Sequence, residues 1–277
     1  MKKHLTTVLL TLMLLTGVGL LLYPTLAHTY NMIYATHAID AYENALMELQ
    51  PEDYDGYFQA ADEYNAQLRQ LASPLTDYEE IPGYYDMLSV GGSNLIGYIY
   101  IEKIHVNLPI FHGTSSAVLA EGVGHMEGTS LPVGGESTHA VLSAHRGLPQ
   151  ARLFTDLDKL EVGDLFTVTV LDRMLTYQVD KITIAEPSEV NLLLVEEGKD
   201  VITLLTCTPY GVNTHRLLVH GHRVENVEEV EQLHITSEAI QVEPLLCAPF
   251  YAIPITMLLF LLAGFIDRRL RRYGKEG

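Results

Sequence analysis

Apolar residues recur along the chain with several different spacings, and each spacing predicts a different element. From Leu5 to Ala27 the run is almost wholly apolar and uncharged, about the length that crosses a ~30 Å hydrocarbon core. It exceeds the roughly 7–15 apolar residues of a cleaved signal's central region, so the expectation over 1–27 is an uncleaved anchor. A second such run, Pro244 to Ile266, is followed by Asp267-Arg268-Arg269-Leu270-Arg271-Arg272. That stop-transfer pattern predicts a transmembrane helix over 244–266 and a basic tail over 267–277, with Pro249 and Pro254 tolerated as kinks. Between Asn31 and Leu71 apolar positions fall at helical spacing, as Ile39, Tyr42, Leu46, Leu49 and then Tyr57, Ala61, Tyr64, Leu68, Leu71, with a break at Pro51. Two helices are predicted there. Pro74, Pro82-Gly83 and Gly91-Gly92 then punctuate a loop-rich connector up to Asn94, so 28–94 reads as a helical segment ending in a loop.

From Ile96 onward the period shortens. Gly97–Ile101, Leu108–Phe111, His139–Leu142, Leu165–Val170, Leu175–Val179, Val201–Leu205 and Leu217–His220 are β-like runs separated by Gly and Pro turns. Brief helical pieces are expected near Arg152–Leu157 and Val190–Val195. Many short strands with close turns predict a mainly β domain over 95–224, a single closed barrel rather than a parallel α/β sheet. An acidic tether over 225–243 leads back to the second apolar run, and there are no internal repeats.

Composition sharpens this picture in three ways. With 17 Lys+Arg against 35 Asp+Glu the formal charge is −18, which argues against a nucleic-acid binder that neutralises phosphates. Hydrophobic residues at 48% and a mean hydropathy of +0.13 exclude wholesale disorder and fit a chain with membrane segments. With 2 Cys among 277 residues there is neither a disulfide framework nor a four-thiolate zinc site. The positive-inside rule places Lys2, Lys3 and the Arg268–Arg272 cluster in the cytoplasm. Both termini are then cytoplasmic, and the domain between the anchors is extracellular. Removing those terminal cations leaves the exported part more acidic still, a surface that repels anionic headgroups and attracts Lys-rich proteins.

Candidate chemistry starts with cysteine. Cys247 lies in the second apolar run and reads as a small hydrophobe. Cys207 instead ends the β-run from Val201 and is followed at once by Thr208-Pro209-Tyr210-Gly211, a turn that presents the thiol at a strand mouth. A lone thiol in an exported domain is usually avoided unless it is used. The thiolate is the reactive form and needs a base or cation beside it. Among 12 His, His145 stands out because it closes Ala140–Ala144 and opens into Arg146-Gly147-Leu148-Pro149, a second strand mouth. His220 and His222 share one strand face; with His215 they suggest a metal cluster, but no carboxylate spacing supports it. For oxyanion stabilisation the candidates are Arg216, at the start of the next strand, and Arg223 further along it. Periodicity does not choose between them.

Together these segments resemble a known family. Thr203-Leu204-Leu205-Thr206-Cys207-Thr208-Pro209-Tyr210 with Asn213–Val219, Gly124–Gly135, Ser143-Ala144-His145-Arg146-Gly147-Leu148-Pro149 and Leu153-Phe154-Thr155-Asp156-Leu157 are similar to the signatures of sortases, specifically the class C, pilus-assembling ones. The resemblance spans about Gly97 to Arg223 and includes both anchors. It implies an eight-stranded sortase barrel with His145, Cys207 and Arg216 at the family's catalytic positions, and no metal or organic cofactor. It further implies cleavage of an LPXTG-like sorting signal between Thr and Gly through a thioacyl intermediate, then transfer to a lysine amine of another pilin. The C-terminal anchor is what separates class C from housekeeping sortases. Class C members commonly carry a lid with an Asp-Pro-aromatic tripeptide, and none occurs between Ser73 and Asn94. Asp77-Tyr78 and Ile81-Pro82-Gly83-Tyr84-Tyr85 stand in its place, with a carboxylate expected near Arg216 and an aromatic over Cys207. The alternatives are a housekeeping-type sortase that uses a peptidoglycan amine, a thiol hydrolase, and a non-catalytic membrane-tethered β-barrel that binds polymers.

Overall fold

The computed structural model describes residues 2–149 and 151–226. The expected second membrane helix over 244–266, the basic tail over 267–277 and the tether beyond Asn226 lie outside the described residues. The chain divides into two units: described residues 2–27 belong to one, and 28–226 form the other. Helix α1 (Lys2–Met47) is continuous through the expected boundary at residue 27 and contains Pro24. Its Thr11–Met47 stretch is long and apolar enough to cross a membrane. Helix α2 (Pro51–Leu68) follows. Pro51 causes the break, because proline lacks the N–H that α1 would need and is tolerated in a helix's first turn. The Asp53 carboxylate accepts from the Gln50 N–H at 3.0 Å and closes the α2 N-terminus.

Past one-turn α3 (Pro74–Asp77) and two short 3-10 turns (Tyr78–Glu80, Tyr84–Asp86), the chain forms eight strands. They are β1 (Leu95–Ile101), β2 (Val106–His112), β3 (Val123–His125), β4 (Thr138–Ser143), β5 (Leu165–Val170), β6 (Arg173–Ala185), β7 (Asp200–Thr208) and β8 (His215–Val224). One further short helix, α4 (Ser116–Glu121), joins β2 to β3. The strands close into a barrel in the order β1-β2-β3-β4-β7-β8-β6-β5. Closure depends on β6, which pairs with β5 through Arg173–Gln178 and with β8 through Thr176–Ala185, with a register shift between Val179 and Lys181. Such a bulge bends one strand so that it serves two neighbours. The pairs β2·β3 and β4·β7 are parallel.

Alternation along the strands builds two apolar clusters. Ile202 and Leu204 of β7, Ala140 and Leu142 of β4, and Leu217 and Val219 of β8 point into the barrel core, which also takes Tyr42, Leu46, Phe58, Tyr64 and Leu68 from α1 and α2. The opposite face of those three strands carries Val141, Leu205 and Leu218, joined by Ala185 and Leu193. Buried polar contacts fix the helices to the barrel. The Tyr42 hydroxyl donates to Ile96 O at 2.8 Å and accepts from Leu171 N–H at 2.9 Å. Asn65 accepts from Leu131 N–H at 2.7 Å and donates to Leu131 O at 3.2 Å. Each pairing satisfies groups that burial alone would leave costly.

Candidate active site

The outer face of β4, β7 and β8 carries the residues singled out from sequence. On β7 the odd positions Thr203, Leu205 and Cys207 share that face. Cys207 is the register partner of Arg216 across the antiparallel β7·β8 pair. On the other side, parallel β4 runs opposite β7 up to Ser143 beside Leu205. One more ladder bond, Ala144 N–H to Leu205 O at 3.1 Å, carries His145 to the level of Cys207. Two bonds hold that end: the Thr206 hydroxyl donates to Ala144 O at 2.8 Å, and Phe154 N–H donates to His145 O at 3.2 Å. His145, Cys207 and Arg216 are all half-buried. Their three strand ends form one row across the sheet.

Geometry separates the two candidate arginines. Arg223 pairs with Tyr177 in register, and its guanidinium donates to Thr176 O and lies 5.8 Å from the Tyr177 ring centroid. It belongs to the far end of β8. Arg216 donates from Nη1 to Asn213 O at 3.3 Å and His215 O at 3.1 Å. Among the described residues no carboxylate pairs with it, so it sits beside Cys207 as an unneutralised cation. The histidines weighed as a metal cluster do not converge, and no group of three such ligands could hold a metal ion among the described residues.

Residues 99–224 match the family described as "Sortase domain". Sortase C1 from Streptococcus agalactiae is 46% identical with a TM-score of 0.63, covering 69% of this chain and 100% of that one. The chain belongs to the sortase family. A sortase C-1 from Streptococcus pneumoniae is 43% identical with a TM-score of 0.62, over 69% of this chain and 100% of its own, so the structural likeness is to the class C branch. Among curated relatives, Sortase D of Bacillus subtilis is 30% identical over 131 residues, 46% of this chain and 63% of that protein. Sortase A of Streptococcus agalactiae is 33% identical over 130 residues, 46% of this chain and 52% of that protein. The matched segment therefore spans about half to two-thirds of these curated relatives.

Along the same face lies a buried hydrogen-bonded chain that spacing did not reveal, in which His220 takes a different place from the metal cluster weighed for it. His139, Thr203 and His220 form a buried chain: His139 Nε2 lies 2.6 Å from Thr203 Oγ1, which lies 2.8 Å from His220 Nδ1. His139 Nδ1 is 2.9 Å from Leu194 O. A carbonyl only accepts, so His139 carries its proton on Nδ1 and accepts the Thr203 hydroxyl at Nε2. Thr203 then accepts from His220 Nδ1–H, and His220 Nε2 is a buried acceptor with no partner among the described residues. Burial pushes His139 down, and His220 down to about 4, so both rings are neutral at physiological pH. The chain pins the β6–β7 loop, whose Leu193 lies in the outer apolar cluster.

The segment before the barrel differs from the arrangement expected of it. Asp77 accepts the Thr76 hydroxyl at 2.8 Å, and the Tyr78 ring packs edge-on to Tyr84 at 6.3 Å. Neither forms a hydrogen bond or ion pair with Arg216 among the described residues. Leu75 of α3 enters the outer cluster instead, against residues that include Leu205, two positions from Cys207. An apolar side chain gains by leaving water there, and a carboxylate does not. Crossing of this segment over the barrel requires Gly128, at φ +80, where a Cβ would come within 2.5 Å of Pro74 O. Tyr84 anchors the segment's other end: its hydroxyl lies 2.8 Å from His125 Nδ1, donates to His125 O at 3.1 Å and accepts from Gly113 N–H at 3.0 Å.

Proposed function

We propose that this sortase is a membrane-anchored extracellular cysteine transpeptidase that joins pilin subunits through LPXTG-like sorting signals. One observation carries the reading: Cys207 and Arg216 are register partners on one face, and β4 delivers His145 to the same level. In this reading the Cys207 thiolate attacks the Thr carbonyl carbon of the signal, and the Thr–Gly C–N bond breaks. Imidazolium His145 gives its proton to the departing glycine amine. Arg216, with no carboxylate partner among the described residues, donates to the oxygen on which negative charge develops. A lysine amine of another pilin then loses its proton to neutral His145 and attacks the thioester; the C–S bond breaks, the thiolate returns and an isopeptide bond remains. Each step uses side chains of this chain and draws on no metal or organic cofactor. The apolar cluster of Val141, Leu205, Leu218 and Leu193 along the same face suits the Leu-Pro portion of such a signal. The apolar stretch of α1 supports attachment to the cell membrane, and Lys2 and Lys3 before it fit a barrel on the outer side.

The test is mass spectrometry of the detergent-solubilised full chain with an LPXTG-type peptide, with and without a lysine-bearing pilin fragment, beside Cys207→Ala. The expected result is a thioacyl adduct on Cys207 that resolves into an amine-linked product only when the fragment is present. Preference for a cell-wall amine over the pilin lysine would replace the pilin assignment with the housekeeping one. Release of hydrolysed peptide alone, with both amines supplied, would make the protein a thiol hydrolase.

A further inference from the structure

Between His145 and Cys207 the sheet provides no direct tie. The β4·β7 ladder ends with Ala144 N–H on Leu205 O; beyond it one chain turns away into Arg146–Pro149, while β7 stays paired with β8 alone up to Thr208 before the turn at Pro209. Arg146 spans this gap from behind. Its side chain is only 9% exposed and its Nη2 meets Asp158 Oδ2 at 2.5 Å. Nη1 donates to Thr208 Oγ1 at 3.2 Å, and the guanidinium carbon lies 6.0 Å from the Tyr210 ring centroid. The loop that carries it packs on the same ring: a Cβ at Gly147, whose φ is +79, would come within 3.0 Å of Tyr210. Arg146 follows His145 and Thr208 follows Cys207, so the link lies on the opposite side of the backbone from the thiol and the imidazole. Its Nε is buried with no hydrogen-bond partner among the described residues, which lowers stability rather than adding to it.

We propose that Arg146 is a positioning residue for the transpeptidation described above: its forked guanidinium, with one nitrogen on Thr208 and the other on Asp158, sets the spacing of His145 from Cys207 without touching either reacting atom. Only arginine supplies two donors in a fixed planar fork, and lysine at this position reaches one partner at a time. Displacement of a catalytic group by about 1 Å costs on the order of a hundredfold in rate, so the fork's effect falls on turnover and not on substrate affinity. This inference rests on the transpeptidase reading, and one arm of its test does not need the substrate.

That arm is the pH profile of Cys207 alkylation by iodoacetamide in the full chain, compared among wild type, Arg146→Lys, Thr208→Val, Thr208→Ser and His145→Ala. In wild type the profile has a component that His145→Ala removes, because the imidazolium favours the thiolate. Arg146→Lys and Thr208→Val are expected to lose that component, and Thr208→Ser, which keeps the hydroxyl, to restore it. In the peptide-cleavage arm Arg146→Lys and Thr208→Val lower kcat by about tenfold to a hundredfold with KM within about twofold, while circular dichroism and Tm report an intact fold. The proposal is overturned if Thr208→Val and Thr208→Ser behave alike, or if the losses in kcat follow losses in Tm with an unchanged alkylation profile. If His145→Ala itself leaves the wild-type profile unchanged, it is the His145–Cys207 pairing that fails, a result separable from failure of the fork.

Discussion

At Cys207 the burden on each neighbour differs, and so do the expected losses. Cys207→Ala removes the nucleophile and should abolish the adduct entirely. If Arg216 is the donor the proposed mechanism makes it, Arg216→Ala is expected to lower kcat by about 10²–10³; Arg216→Lys keeps the charge without the fork and should recover only part of it. Turnover of the LPXTG-type peptide checks both. The buried histidines make a separate prediction about stability. His220 is held neutral with its value pushed down to about 4 by burial, His139 shares the direction, and His125 is pushed down to about 4 as well. A histidine depressed by folding binds fewer protons in the native state than in the unfolded one. Its contribution is fully present above the unfolded value of roughly 6.5 and is lost as pH falls toward 4. Thermal unfolding from pH 7.5 to 4.5 should show Tm falling across that window, and His220→Asn should flatten the fall, by at most about 3 kcal/mol. A pH-independent Tm would contradict the buried chain.

Among the elements, α3 is the candidate cover for the outer face that carries the thiol, because its Leu75 packs against the apolar cluster there. Leu75 is half-buried in the outer apolar cluster, and truncation to alanine removes on the order of 1–2 kcal/mol of burial, enough to shift opening of this segment by about fivefold to thirtyfold. Leu75→Ala should therefore raise the rate of Cys207 labelling and of peptide hydrolysis, while Asp77→Ala, whose carboxylate is turned to Thr76, leaves both near wild type. Equal labelling in Leu75→Ala and wild type would remove α3 as a cover. Tyr84 gives an independent check, because its buried hydroxyl donates its one proton to His125 and accepts from Gly113 N–H. Tyr84→Phe should lower stability by about 1–3 kcal/mol, read as a shift in the denaturation midpoint without a change in slope.

Over the whole molecule, acidity governs behaviour. A chain with 35 acids and 17 bases repels itself when compact, and added salt screens that repulsion. Raising NaCl from 20 to 300 mM, concentrations at which the Debye length falls from about 20 to 6 Å, should raise Tm modestly and in proportion to that screening. A fall in Tm would indicate that attractive surface pairs outweigh the repulsion.

Local spacing alone determined much of this protein. Seven of the eight strands were legible as apolar runs, because each alternates or stays apolar long enough to register a period. The strand mouths at His145 and Cys207 were legible because a Pro or Gly turn follows each one. β3, with only Val123–His125, is too short to show any period and exists because β2 and β4 pair with it. The extension of β6 to Ala185 was hidden for the same reason, since Asp180 and Lys181 break the apolar run while β8 supplies the ladder. Periodicity left Arg216 and Arg223 open and the resemblance pointed to Arg216; a physical reason for it needed the register with Cys207, a relation between strands that no spacing within one strand contains. So did the buried chain from His139 to His220, the fork of Arg146, and the seating of Leu75 in the outer apolar cluster. Backbone periodicity is written into neighbouring residues, so sequence carries the elements; which side chains meet depends on pairings between distant segments, and only the closed barrel sets those.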